Sequence, residues 1–176
     1  DDDFFEVIAT AGDTFLGGDD FDYAAADAFL ADFCKSTGLD LKENRSVRMK
    51  LRDAAERAKI ALSTAEEVEV EVPGLYRAPD CTEHDFAAVV DRYNYAQWVL
   101  PLVQRSLDVC ANALEAARMT PRQVDHVLLV VGMTRFPLIR DSVQQFFGKS
   151  PNASLNPDEV VAVGAAIQAN ALTNVD

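Results

Sequence analysis

Apolar positions recur with two different periods along this chain, and the switches between them mark its elements. Phe4, Phe5, Val7 and Ile8 open an apolar run to Ala11 that predicts a strand. Gly12-Asp13-Thr14-Phe15-Leu16-Gly17-Gly18 breaks the run and predicts a loop with special backbone angles. Phe21, Ala25, Phe29 and Phe33 then fall at i, i+4, i+8 and i+12, one stripe of a helix capped by Asp19 or Asp20 and stopped by Gly38. A second helix is predicted over Arg45 to Ser63, with Leu51, Ala55, Ala58 and Leu62 facing a core. Glu67 to Val72 alternates strictly between acid and valine, the mark of a half-buried strand, and Pro73-Gly74 is expected to end it. Phe86 to Val90 reads as its antiparallel partner over a long connection, with a helix from Thr82 as the competing reading. Asp91 is placed to cap a long helix from Arg92 to Ala117 that contains Pro101. Val127–Val131 is a continuous apolar run, a strand buried on both faces. Pro137 opens a helix over Leu138 to Phe147, and Asn156-Pro157-Asp158-Glu159 opens the last one, to about Leu172.

The order of these elements is that of an α/β protein with a mainly helical and antiparallel insertion near the middle. Composition narrows the function. Among 176 residues, 16 are Lys or Arg and 29 are Asp or Glu, a net charge of −13. Such a field repels phosphate backbones and argues against nucleic acid as a partner. No apolar run approaches the roughly 18 residues of a membrane span, and no secretory signal is legible, so no membrane partner is expected. Cys34, Cys81 and Cys110 have neither metal-ligand nor disulfide spacing, which fits a reducing cytoplasm. His84 and His126 have no acid or cysteine at triad or metal spacing, so no metal ligands and no catalytic residues are assigned.

Three places can carry chemistry. Gly17-Gly18 before a helix lets a backbone approach a ligand closely, although Asp19 and Asp20 would repel phosphate; a plain turn is the alternative. Glu56, Lys59 and Ser63 lie at i, i+3 and i+7 and stack on one helix face. A carboxylate, an ammonium and a hydroxyl in a row could grip a ribose and the edge of a base, or Glu56 and Lys59 could be an exposed ion pair. Glu56 and Lys59 lie off the apolar stripe, so truncating either is expected to cost about 0.5 kcal/mol or less. Val131-Gly132-Met133-Thr134-Arg135 follows the carboxyl end of the predicted buried strand, where open α/β sheets bind ligands. There Gly132 permits close approach, and Arg135 could stack on a base or reach a phosphate; a turn with a surface Arg is the alternative.

Five ordered segments give these places a family. They are Phe5 to Asp22 (with Ala11-Gly12-Asp13-Thr14 and Leu16-Gly17-Gly18), Ala54-Ala55-Glu56-Arg57-Ala58-Lys59-Ile60-Ala61-Leu62-Ser63, Val130 to Pro137, Phe146-Phe147-Gly148-Lys149, and Asn156 to Ala166. In order and spacing the chain resembles the DnaK-type, seventy-kilodalton heat-shock chaperones. The resemblance covers the second lobe of that family's nucleotide-binding domain. It implies half of an actin-like ATPase, or ribonuclease H-like, fold with an α+β insertion subdomain. Residues 1–16 and 100–176 would be subdomain IIA, and 17–99 subdomain IIB.

The resemblance also implies a ligand, ATP or ADP. Glu56 and Lys59 would contact the ribose and Ser63 the adenine edge. The Gly17-Gly18 turn with Asp19, and Gly132 with Met133, would line the nucleotide, Arg135 would pack against the adenine, and Asp158 would close the floor. Magnesium is expected only with the family's first lobe, whose phosphate loop, lysine and metal-binding carboxylates precede the matching region. ATP hydrolysis is accordingly expected only of a full-length parent. That first lobe is the implied partner, together with a nucleotide-exchange factor on subdomain IIB, and a J-domain co-chaperone and client protein through the parent. Val131, Met133, Phe15 and Asp19 depart from the family's usual residues, the family favouring Gly-Gly before Thr-Arg. An alternative follows from them: a degenerate nucleotide site in a module that docks an exchange factor or co-chaperone.

Overall fold

The computed structural model describes residues 6–130, 132–152 and 159–173. The described residues fall into two units, one being Thr14–Gln104 and the other drawn from Asp1–Asp13 and Arg105–Asp176.

In Thr14–Gln104, helix α1 (Gly18–Thr37) buries Phe21, Ala25, Phe29 and Phe33, the stripe its spacing predicts. Gly38 ends it in the left-handed region, at φ +72°, and its N–H donates to the Cys34 carbonyl. Helix α2 (Arg45–Leu62) is capped by Asn44, whose side chain accepts the Val47 N–H, and buries Leu51, Ala55, Ala58 and Leu62. Strands β1 (Glu67–Arg77) and β2 (Glu83–Asp91) pair antiparallel from Glu67↔Asp91 to Arg77↔Glu83. The acids Glu67, Glu69 and Glu71 face outward, while Val70 and Val72 face the core.

Two expectations about this hairpin are corrected. Pro73-Gly74 does not end β1 but bulges it, with a register shift between Val72 and Tyr76. Gly74 takes φ +56°, its N–H donates to the Asp85 carboxylate at 2.6 Å, and Lys50 donates to its carbonyl. With those groups satisfied the strand resumes and buries Leu75. The connection is also short rather than long, because β2 starts at Glu83, and no helix forms from Thr82. Ala78 and Thr82 close the turn, and the Thr82 N–H holds the exposed Asp80 carboxyl below its ordinary range.

Helix α3 (Arg92–Ala116) follows with Pro101 inside it. Asp91 caps it by accepting the Asn94 N–H at 2.7 Å. Arg92 anchors it by donating to the Leu62 carbonyl and pairing with Glu66. An aromatic cluster seals the core: Phe29 lies 5.3 Å from Phe86 and 5.6 Å, edge-on, from Trp98.

The other unit is less regular. Residues 6–11 form no strand, and Phe4 and Phe5 lie outside the described residues. Residues 127–130 form none either: Leu128 makes a single parallel bridge to Asn152, and Val131 lies outside the described residues. A strand needs a hydrogen-bonded neighbour, and among the described residues these two apolar runs have no ladder to join. Two 3₁₀ turns stand in this unit, at Pro121–Gln123 and Gly132–Arg135. Helix α4 (Pro137–Phe147) begins on its proline, as expected, and buries Val143 and Phe147. Helix α5 (Val160–Thr173) is the last element; its predicted start at Asn156-Pro157-Asp158 lies outside the described residues. Asp13 and Arg105 form an ion pair.

Candidate functional site

The candidate residues fall into two groups, and α1 and α2 build the first. Gly17 is the N-cap of α1, with an extended backbone. Its N–H donates to the Asp20 carboxylate at 2.7 Å, and its carbonyl accepts the Asp20 N–H at 3.1 Å. Neither Asp19 nor Asp20 is therefore the N-cap: Asp20 closes the turn from within the helix, and Asp19 stands exposed in the first turn.

Lys59 lies in the last turn of α2 and reaches across to α1. Its ammonium donates to Asp22 Oδ2 at 2.7 Å and to the Gly18 carbonyl at 3.1 Å. The exposed Glu56–Lys59 pair that the spacing allows is not made. The difference is burial: the Asp22 side chain is 3% exposed and Lys59 is 12% exposed, whereas Glu56 keeps its water. A carboxylate taken out of water draws the nearest cation far more strongly than a hydrated one does. Ser63 is the C-cap of α2, half-buried, and its hydroxyl donates to the Lys59 carbonyl at 3.3 Å. The Lys59 ammonium thus ties the Gly17-Gly18 turn to α2, with Ser63 one turn later and Glu56 one turn earlier on α2.

Asp22 is the residue that sequence reasoning missed. Burial pushes its carboxyl above the ordinary aspartate value. The Lys59 hydrogen bond and charge oppose that shift, and the charges of Glu56 and Asp19 add to it. Burial, with a contribution from the Asp22 charge, also pushes the Tyr95 hydroxyl far up. Asp22 Oδ1 is buried and accepts no hydrogen bond among the described residues. A signal was present in the chain: Asp22, Ala26, Phe29 and Phe33 fall at i, i+4, i+7 and i+11, so an acid sits within an apolar stripe. An acid there demands a buried partner. The low stability cost expected for Lys59→Ala is corrected on the same ground. Removing the ammonium strands a buried carboxylate, at a cost of up to about 3 kcal/mol.

The second group lies in the other unit. Gly132, Met133 and Arg135 share the 3₁₀ turn that leads into α4, and the Phe136 N–H donates to the Met133 carbonyl at 3.2 Å. Gly132 and Arg135 are exposed and Met133 is half-buried. A side chain at Gly132 would enter open space, with no atom within 4 Å of its Cβ. Asp158 lies outside the described residues.

Chemically, the first group offers one ammonium N–H beyond the two already used, an exposed carboxylate and a hydroxyl. Such a set suits a polyhydroxylated ligand. Asp19, Asp20 and Asp22 at the start of α1 make the same corner unsuited to a phosphate, despite the helix N-terminus. Among the described residues, no three His, Cys, Asp or Glu side chains are grouped so as to hold a metal ion, and no helix is long and apolar enough to cross a membrane.

The model of one family, described as Hsp70 protein, matches residues 1–176, the whole chain. The protein is thus of the class of ATP-binding heat-shock chaperones. It belongs to the Hsp70 family.

Proposed function

We propose that this chain is the adenosine-holding lobe of an Hsp70 ATPase domain, half of an actin-like fold. Residues 1–16 and 100–176 serve as subdomain IIA and 17–99 as subdomain IIB. The observation that carries this reading is the corner between α1 and α2, where the Lys59 ammonium meets the Gly18 carbonyl, with Glu56 and Ser63 one turn to either side of Lys59 on α2. Its donors and acceptors fit a ribose: Lys59 and Glu56 would hold the sugar hydroxyls of ATP or ADP, and Ser63 the adenine edge. Gly17-Gly18, with Asp19, and Gly132, with Met133, would line the nucleotide by backbone. Arg135 would pack on the adenine, and Asp158 would close the floor.

Phosphoryl transfer needs metal, phosphate clamps and an oriented water placed together. In this reading the first lobe supplies them, and the chain alone binds without hydrolysing. An exchange factor would dock on 17–99, and a J-domain co-chaperone and client would act through the parent, in a reducing cytoplasm. Calorimetric titration of ADP tests the reading. Glu56→Ala is expected to weaken binding roughly three- to tenfold, the worth of one net hydrogen bond, with an unchanged melting temperature. Equal affinity in wild type and Glu56→Ala would overturn the ribose role.

A second reading rests on Met133, whose apolar side chain stands half-buried in the Gly132–Arg135 turn. With Val131 it makes the nucleotide site degenerate and leaves docking of an exchange factor or co-chaperone as the function. Binding of such a partner by a chain that takes up no ADP would favour it.

A further inference from the structure

Asp22 has no place in the functional reading so far, yet it holds the residue that does. The Lys59 ammonium has three N–H donors. One goes to Asp22 Oδ2 at 2.7 Å and one to the Gly18 carbonyl at 3.1 Å. Those two bonds fix the direction of the third. A lysine side chain has four rotatable bonds, and a free one would sample many directions and the nearby Glu56 carboxylate. Asp22 is itself immobile: its side chain is 3% exposed, on the buried face of α1 beside Phe21, Ala25 and Ala26. A rigid buried carboxylate aiming a partly exposed ammonium is the arrangement of a supporting residue behind a binding residue.

We propose that Asp22 is a positioning residue, which clamps the Lys59 ammonium so that its remaining N–H points out to a ribose hydroxyl. Asp22 touches no ligand and acts only through Lys59. The proposal rests on the ribose role of Lys59, and the test separates the two.

Asp22→Asn keeps the shape and an acceptor oxygen but removes the charge. ADP and 2′,3′-dideoxy-ADP, which lacks both ribose hydroxyls, are titrated against wild type and variant, with thermal melts and the Lys59 side-chain ammonium signal in ¹H–¹⁵N spectra. Wild type is expected to prefer ADP and to show a sharp Lys59 signal. Asp22→Asn is expected to weaken ADP roughly three- to tenfold, leave dideoxy-ADP within about twofold, broaden or erase the Lys59 signal and not lower the melting temperature. A merely structural Asp22 would weaken both nucleotides alike and lower the melting temperature, which overturns the proposal. So does an unchanged Lys59 signal in Asp22→Asn, whatever the nucleotide does. If wild type binds ADP and dideoxy-ADP equally or binds neither, the ribose role fails. The ammonium signal then decides alone whether Asp22 holds Lys59.

Discussion

In Thr14–Gln104 every element faces another: α1 packs on α2, α2 on β1, and β1 pairs with β2. In the other unit, Val7 and Ile8 are 78% and 67% exposed, Leu128 makes one bridge, and Val161, Val163 and Ile167 of α5 are each at least half exposed. Apolar content does not separate the two, since α5 carries no charged residue at all. What separates them is where the partners lie. The hairpin joins neighbours across a short turn and α1 joins α2 across a short loop, so most of these pairings are between elements adjacent in the chain, and the Phe29–Phe86–Trp98 cluster then ties its ends together. The run from Phe4 to Ala11 reads as a strand and Val127–Val131 as one buried on both faces, and a strand of the second kind needs neighbours on both sides and long crossovers to reach them.

The largest test of this contrast is at the aromatic cluster. Phe29→Ala opens the space between Phe86 and Trp98 and is expected to cost about 3–5 kcal/mol in chemical denaturation. Phe147→Ala in α4 is expected to cost about half as much or less, because Phe147 is 9% exposed against 2% for Phe29 and so leaves less of a closed cavity. Equal costs would mean that both units are packed alike.

Gly74→Ala probes the bulge that lets β1 resume. A Cβ at Gly74 meets no atom within 4 Å, so the cost is conformational: a left-handed φ of +56° disfavours alanine by about 1 kcal/mol. A thermal shift near zero would remove backbone strain from the account of the bulge.

Asp22→Asn tests the buried ion pair by the sign of its effect. The folded-state pKa of Asp22 is raised, first by burial, with Lys59 on α2 opposing and Glu56 on α2 and Asp19 on α1 adding to the rise. Tyr95 on α3 also lies within the influence of its charge. A carboxyl with a raised folded pKa contributes stability that is present below its unfolded value, 3.8, and is lost as pH rises through the folded value. The asparagine variant is therefore expected to melt no lower than wild type at pH 7, with any gain disappearing toward pH 4. A lower melting temperature at pH 7 that recovers in acid would reverse the sign and make the charged pair a net source of stability. The smallest effect is expected at Val7→Ser, within about 0.5 kcal/mol, since the side chain is already in water. A larger loss would mean that residues 6–11 are covered in solution.

Much of Thr14–Gln104 was legible in the chain. The α1 and α2 stripes, the Gly38 stop, the Asp91 cap and the antiparallel pairing of the valine-rich strand all follow from local signals. The stripes, the stop and the cap depend on residues within about one to three helical turns of one another, and the pairing on two strands that follow each other in the chain. The site was legible in part: the Glu56-Lys59-Ser63 face and the Gly17-Gly18 turn could be named, but not the bond that joins them.

Periodicity says which face of an element is apolar, and so the sequence alone determined the two helices, the hairpin and their buried sides. It does not say which element will cover that face, or which charge will be trapped beneath it. Only the tertiary structure decided that Pro73-Gly74 is a bulge, because that depends on Asp85 and Lys50 supplying bonds to Gly74. It also decided that Lys59 turns to Asp22 rather than to Glu56 three residues away. Helical spacing placed only Glu56 within reach; the packing of α1 on α2 brought Asp22 there as well, and desolvation, a property of the assembled core, chose between them.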